Sequence, residues 1–270
     1  MSTPLPQARP TVPWKVVALP AEHGGWGLLA EPVVLGLVLA PSAAGLCLAL
    51  AALAAFLARH PLRLALVDRR KSVRYPRTAL AERVFAAYAA SALALAAAAF
   101  ALASASFWLP LAVAAPIGLV ALAFDARGRS REALPEAAGA VALGASAAAI
   151  ALAGGAPAAF AWGAWALLAL RAVTSVLYVR ARIRLDRGLA AGPRAVHAGH
   201  AAALAAATGL AGAGLAPWLA PVVFLVLLAR SGWGLSRWRR PVRPQVLGFQ
   251  ELGYGLLTLA LLVIGYRLGP

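Results

Sequence analysis

Acidic residues, lysine and cysteine are scarce in this sequence. Its 270 residues include 9 Asp and Glu against 25 Lys and Arg, and Lys15 and Lys71 are the two lysines. The single cysteine, Cys47, lies in an apolar segment, so a disulfide or a cysteine metal cluster within one chain is excluded. No polar stretch is long enough to form a soluble domain. We therefore expect one membrane domain over residues 17–270, preceded by a flexible cytoplasmic tail at 1–16.

Apolar residues are in large excess. They make up 62% of the chain and the mean hydropathy is +0.79, which is more than a soluble core of this length can bury. A net charge of +16 is typical of nucleic-acid binding when a chain is soluble. Here the basic residues follow apolar segments, so we expect membrane lipids as partners and no nucleic acid.

The apolar residues form long segments that predict an all-α, polytopic membrane bundle. A membrane-spanning helix needs about 20 mostly apolar residues, and about nine segments approach this length. The first two are short and meet at Pro41–Ser42, so they form either two full spans or one broken entry. The predicted segments are 24–40, 42–58, 80–103, 107–124, 135–153, 157–178, 195–214, 216–235 and 246–267.

Arginine clusters follow every second apolar segment. Because Lys and Arg at helix ends favour the cytoplasmic side, this alternation predicts one strongly basic, cytoplasmic face. With nine spans, the N-terminus is also cytoplasmic, in a multi-pass membrane protein. The clusters are Arg59–Arg83, Arg127–Arg131, Arg180–Arg194 and Arg237–Arg243.

The first apolar segment contains ionisable residues that do not belong in lipid. Such groups cost at least about 2.5 kcal/mol to insert, so they indicate a partner or a cavity. Glu31 shares a helix face with His23 and Gly27, and we expect it to form a buried ion pair or a ligand site. Glu22 either caps the start of the helix or joins the same site as His23.

A second candidate group closes the second apolar segment. Arg59 and Arg63 are four residues apart, with His60 between them, so on a helix they form a paired guanidinium clamp suited to phosphate. The alternative is an ordinary basic loop that orients the protein in the membrane.

The sixth segment carries a continuous polar face near its end. Arg171 lies deep enough to need an anionic partner, for which Glu31, Glu136 and Glu251 are the candidates. We expect this face and Arg180 to line a cytoplasm-facing cavity, because spacings of three and four residues keep its members on one side of a helix. The members are Arg171, Thr174, Ser175, Tyr178 and Arg182.

The histidines give no sign of a metal site. His197 and His200 are three residues apart, but no carboxylate lies beside them as a third ligand. We expect no metal and no cofactor.

Four short motifs resemble the YwiC-like family of bacterial membrane proteins. The resemblance covers nearly the whole chain from about residue 17, and it implies an integral membrane protein without an established biochemical activity. The motifs are Glu22–Gly27, Arg59–Pro61, Arg180–Arg184 and Gly248–Glu251.

A more distant likeness is to the UbiA family of intramembrane prenyltransferases, which have nine helices. In that family, Asp-rich motifs after helices two and six hold magnesium against an isoprenoid diphosphate. The corresponding positions here are Arg59–Arg63 and Arg180–Asp186, with Asp68 and Asp186 as the nearby carboxylates. Two isolated aspartates do not make a magnesium clamp, so the likeness implies a similar fold without the usual metal.

These patterns favour a protein that binds or processes an anionic amphiphile, such as an isoprenoid or lipid phosphate, in a cytoplasm-facing, Arg-lined intramembrane cavity. We expect its headgroup to meet arginines that converge there: Arg59, Arg63, Arg171, Arg180 and Arg182. One alternative is a metal-independent, prenyltransferase-like enzyme with Tyr178 or Glu31 as the acid or base. Another is a small-solute transporter that uses Glu31, Arg171 and Glu251 as a charge relay. The sequence favours no particular oligomeric state.

Overall fold

The computed structural model describes residues 13–20, 24–103 and 106–269, and all regular structure in these ranges is helical. This confirms the predicted all-α fold class. The helices are α1 (Trp14–Ala18), α2 (Gly24–Leu39), α3 (Ala43–Arg70), α4 (Pro76–Leu102), α5 (Trp108–Ala126), α6 (Ala133–Ala153), α7 (Ala158–Asp186), α8 (Pro193–Gly212), α9 (Ala220–Gly234) and α10 (Pro244–Leu268).

Six of the described helices are long and apolar enough to cross a membrane: α3, α4, α5, α6, α7 and α10. The chain is therefore a multi-pass membrane protein. α2 and α9 are apolar but shorter. α2 has 16 residues, about 24 Å at 1.5 Å per residue, less than the roughly 30 Å of a hydrocarbon core. Each of the nine predicted segments corresponds to one of the helices α2 to α10. The predicted number of spans therefore approximates the number of main helices, but it exceeds the number of described helices that are long enough to span a membrane.

The first two predicted segments are separate helices. α2 and α3 are divided at Pro41, and Ser42 caps α3 by accepting a hydrogen bond from the Gly45 amide (2.9 Å). α3 then continues to Arg70, well beyond the predicted end at residue 58. α7 likewise continues to Asp186 instead of ending at 178.

The basic residues at these two ends are therefore helical. Arginine has a high helix propensity, and its aliphatic stem extends along apolar surface while the charge reaches water. Arg59 and Arg63 lie on consecutive turns of α3, and Arg180 and Arg182 lie on the last turns of α7.

α6 forms the centre of the first half of the bundle, in contact with α2, α3, α5 and α7. Its residues from Gly144 to Ala153 are all buried. Gly36 of α2 faces this run so closely that a Cβ there would lie 2.8 Å from the Ala147 carbonyl oxygen and from Ile150 Cβ. Small residues thus let the two backbones touch.

A second core joins α7, α8, α9 and α10. Phe224 and Leu227 of α9 are buried in it with Leu262 of α10 and Ala207 of α8. Leu35 of α2 reaches the same core, so α2 packs against both halves of the bundle.

Hydrogen bonds join each basic cluster to the next. As a result, all four clusters lie together at one end of the bundle, in agreement with their alternation along the chain. The bonds run from Arg70 to the Ala126 carbonyl (3.0 Å), from Arg180 to the Arg131 carbonyl (2.8 Å) and from Arg182 to the Arg240 carbonyl.

The predicted tail at 1–16 lies mostly outside the described residues. Its last residues begin α1, which packs on α3 and α4 through buried Val17. His60 Nε2 lies 3.1 Å from the Val16 carbonyl oxygen, and the Tyr88 hydroxyl donates to the Ala18 carbonyl (3.4 Å).

Candidate functional site

The polar face of α7 is buried inside the protein. Its five side chains belong to residues that are 2–7% exposed, and helical spacing aims them towards α2, α9 and α10. Thr174 donates to the carbonyls of its own helix, at Leu170 (2.9 Å) and Arg171 (3.0 Å). The remaining polar members therefore decide what this face contacts.

Glu31 and Arg171 form a buried ion pair. Their side chains are 8% and 3% exposed, and Arg171 Nη2 lies 3.0 Å from Glu31 Oε1. The same nitrogen donates to the Glu251 carbonyl (3.2 Å). Gly255 gives the pair room, because a Cβ there would lie 2.9 Å from Arg171 Nη2 and would collide with Glu31. Of the three acidic candidates, Glu31 is the partner that Arg171 requires.

Arg230 of α9 is the second buried cation, and its surroundings fix its position. Nη1 donates to Glu251 Oε1 (2.5 Å), and Nη2 lies 3.3 Å from His200 Nε2. The guanidinium carbon is 4.2 Å from the centre of the Tyr178 ring and 5.1 Å from that of Tyr254, distances typical of cation–π contacts.

The network around Arg230 is incompletely satisfied. Arg230 Nε and Glu251 Oε2 are buried without a hydrogen-bond partner among the described residues. Buried polar atoms are nearly always bonded, so exceptions of this kind concentrate at functional sites.

A cavity of about 930 Å³ opens beside this network, between α7, α9, α10 and the α9–α10 segment. Its apolar walls include Val226, Ala229 and Leu257, and Gln250 and two tyrosines, Tyr178 and Tyr254, also line it. In the part of the chain that the structure describes, the lining contains no acidic side chain but four arginines: Arg182, Arg230, Arg239 and Arg240.

Two carboxylates behind the wall offset part of this charge. Asp186 lies 2.9 Å from Arg182 and 3.4 Å from Arg239, and Glu251 lies 2.5 Å from Arg230. Four guanidinium groups against two carboxylates leave a formal excess of two positive charges.

The lining residues differ in how many of their hydrogen-bond donors already bind protein acceptors. All three guanidinium nitrogens of Arg182 donate to protein oxygens, on Asp186, Gly234 and Arg240, so Arg182 ties α7 to the α9–α10 segment. The exposed guanidinium of Arg240 donates to no acceptor among the described residues, and neither does the hydroxyl of Tyr178 or Tyr254. These three groups remain available to a ligand.

The structure places Arg59, Arg63 and Arg180 elsewhere, around the junction of α5 and α6. Arg59 binds Asp125 through two hydrogen bonds (2.7 and 3.1 Å), and Arg63 donates to Ser130 (3.2 Å). Arg180 pairs with Glu136 (3.0 Å). The predicted convergence of these arginines with Arg171 in one cavity therefore does not occur: none of the three lines the cavity, and Arg171 lies behind it, paired with Glu31.

The other predicted residues have varied positions. Glu22 and His23 lie outside the described residues, and His60 contacts α1. His197 contacts the Ser231 hydroxyl (3.2 Å), while His200 Nδ1 lies 2.8 Å from the Val196 carbonyl. In the described part of the chain, no group of three or more His, Cys, Asp or Glu side chains is placed to hold a metal ion.

Sequence reasoning missed several residues of the site. Arg230 lies inside an apolar run, so the criterion that identified Arg171 applies to it equally. Arg239 and Arg240 were interpreted only as part of a basic cluster that sets orientation. Asp125, the partner of Arg59, has no such signal, because it lies at the end of its segment.

Comparisons with known proteins bear on the first half of the chain. The model of the YwiC-like protein family matches residues 19–151, which include Glu31, Arg59 and the whole of α3 to α5. No curated protein and no solved structure matches the chain. The distant likeness to UbiA prenyltransferases thus stays a prediction, and the cavity-lining residues lie beyond the matched range. The YwiC-like resemblance is confirmed over residues 19–151.

Proposed function

We propose that this membrane protein binds an anionic amphiphile, such as an isoprenoid or lipid phosphate, in the arginine-lined cavity between α7, α9 and α10. The observation that carries the proposal is the positive excess of this cavity, whose described lining has four arginines and no acid. Such an excess attracts an anion, most strongly beside the buried Arg182 and Arg230, where the surrounding has a low dielectric constant.

The donors available in the cavity support an anionic headgroup. Arg240 offers a guanidinium, which binds phosphate or carboxylate oxygens with two parallel hydrogen bonds. Tyr178 and Tyr254, whose rings both contact the Arg230 guanidinium, offer hydroxyls. The buried Arg230 adds positive potential without having to move, because Glu251 and His200 hold it.

The walls of the cavity support an apolar tail. Val226 and Ala229 of α9 face Leu257 of α10 across it. Trp233 and Trp238, which also line it, are 68% and 64% exposed, and tryptophan is enriched where membrane proteins meet the lipid–water interface. A headgroup at the arginines and a chain along α9 and α10 would occupy both kinds of surface.

Native mass spectrometry of the purified protein, titrated with lipids of matched chains, tests the proposal. We expect phosphatidylglycerol to bind more tightly than phosphatidylcholine, and Arg240→Gln to weaken phosphatidylglycerol binding by about fivefold, as expected for a partly exposed charge contact. The matched control is Arg243→Gln, which removes an exposed arginine from the same segment that does not line the cavity. Equal binding of the two lipids, or equal effects of the two substitutions, would contradict the proposal.

A second candidate function is transport of a small charged solute. A chain of two ion pairs, Glu31–Arg171 and Glu251–Arg230, links α2 to α9, and a hydrogen bond from Arg171 to the Glu251 backbone carbonyl joins the two pairs. Chains of this kind mark ion and proton paths in membranes. Solute flux into proteoliposomes that is lost in Glu31→Gln but kept in Glu82→Gln, a surface variant, would favour transport over binding.

A further inference from the structure

We propose that the cavity selects a terminal, doubly charged phosphate over a singly charged phosphodiester. This inference rests on the proposed function and names the headgroup class that the same site takes. The observations that carry it are the size of the charge excess and the number of free donor groups.

The charge excess matches a dianion. The four lining arginines and the two carboxylates behind them leave two positive charges, and the neighbouring Glu31–Arg171 pair is neutral as a whole. A phosphodiester headgroup carries one negative charge and would leave one positive charge uncompensated. A phosphate monoester carries up to two and neutralises the site.

The two carboxylates next to the cavity cannot neutralise the remaining positive charge. Asp186 contacts Arg182 and Arg239 at once, and Glu251 is tied to Arg230. Releasing either carboxylate would leave a buried guanidinium unpaired, which costs several kcal/mol. Arg240 therefore depends on a ligand or on solvent for its counter-charge.

The donors match a terminal phosphate in number. Three groups donate to no acceptor among the described residues: the Arg240 guanidinium and the hydroxyls of Tyr178 and Tyr254. A phosphate monoester presents three unesterified oxygens, each a strong acceptor. A diester has two unesterified oxygens and one negative charge fewer, so the same donor groups would share fewer and weaker acceptors. Both tyrosine rings contact the Arg230 guanidinium, so an oxygen bound to either hydroxyl is also close to a fixed positive charge.

A competition between two lipids tests the inference. Phosphatidate and phosphatidylglycerol with identical acyl chains are titrated into the purified protein at pH 8, well above the second pKa of about 6 of a phosphate monoester. We expect phosphatidate to bind about tenfold more tightly, and the preference to fall to about threefold in Arg240→Gln. Tyr254→Phe removes a donor without changing charge and should also reduce the preference, whereas Arg243→Gln should preserve it.

Inorganic phosphate identifies the source of the dianion. Displacement of phosphatidate by millimolar inorganic phosphate supports the dianion class with free phosphate as a ligand, and no displacement supports a lipid-borne phosphate. Equal affinities for phosphatidate and phosphatidylglycerol, with both above phosphatidylcholine, would overturn the inference and leave the proposed function standing. Equal affinities for all three lipids would overturn both.

Discussion

Single buried charges are the features of this molecule with the greatest energetic consequence. Arg171 and Arg230 are both at least 94% buried, and each touches one carboxylate. Removing one member of such a pair leaves the other unpaired in the interior, which costs more than removing both. The effect of a substitution therefore depends on the partner that it leaves behind.

Arg171→Gln should lower the free energy of unfolding by about 3 kcal/mol, because it leaves the buried Glu31 carboxylate without its cation. The double variant Glu31→Gln with Arg171→Gln should recover most of this loss. Chemical unfolding in detergent measures both. Arg129→Gln is the control, since its pair with Glu132 is exposed and should contribute little. A double variant no more stable than Arg171→Gln would show that the pair is not coupled.

Residue-level reasoning from the sequence worked where a charge stands alone in an apolar run. Glu31 and Arg171 were identified on that basis, and they are partners. Arg240 could not be separated from the arginines that set orientation, because what distinguishes it is its place in the lining of the cavity. That place depends on how α7, α9 and α10 pack around the cavity, which positions along the chain do not reveal.

At the scale of helices, the order and number of the main elements followed from hydropathy, whereas their ends did not. α3 and α7 extend beyond their apolar segments to Arg70 and Asp186. Arginine favours helix and also marks a membrane boundary, so the same residues end a hydrophobic pattern without ending a helix. The polar face of α7 already reaches the cavity at Tyr178, and the extension of the helix adds Arg182 to the lining.

Close contact between α2 and α6 depends on glycine. A Cβ at Gly36 would lie 2.8 Å from a backbone oxygen of α6, so Gly36→Ala should cost about 1–3 kcal/mol through overpacking. Gly209→Ala on α8 is the matched control. A Cβ there meets nothing within 4 Å, so that variant should keep or slightly raise stability. Thermal unfolding of both variants tests the contact, and an unchanged Tm for Gly36→Ala would contradict it.

For the molecule as a whole, the alternation of arginine clusters predicted one basic end, and the contacts among the clusters place them together. Which side of the membrane this end faces remains a prediction from the positive-inside rule. The family match over 19–151 does not include the cavity, so the site could not be inferred from the family.

Cysteine accessibility tests the orientation. Single cysteines are introduced in a Cys47→Ala background. Ser130→Cys and Leu189→Cys place the thiol in connections between helices at the basic end. Ala158→Cys and Ala213→Cys place it at the opposite end of the bundle, at the start of α7 and just after α8. A membrane-impermeant maleimide should label the second pair in intact cells and the first pair only after permeabilisation. The reverse pattern would place the basic end outside.

The central claim, that an anionic headgroup occupies the cavity, is tested most directly by photo-crosslinking with a lipid phosphate that carries a diazirine next to its headgroup. Mass spectrometric mapping should find the label on cavity-lining residues such as Tyr178, Trp233 and Tyr254, and a matched phosphatidylcholine probe should not label them. Labelling that is the same for both probes, and spread over exposed faces such as α4, would contradict the account.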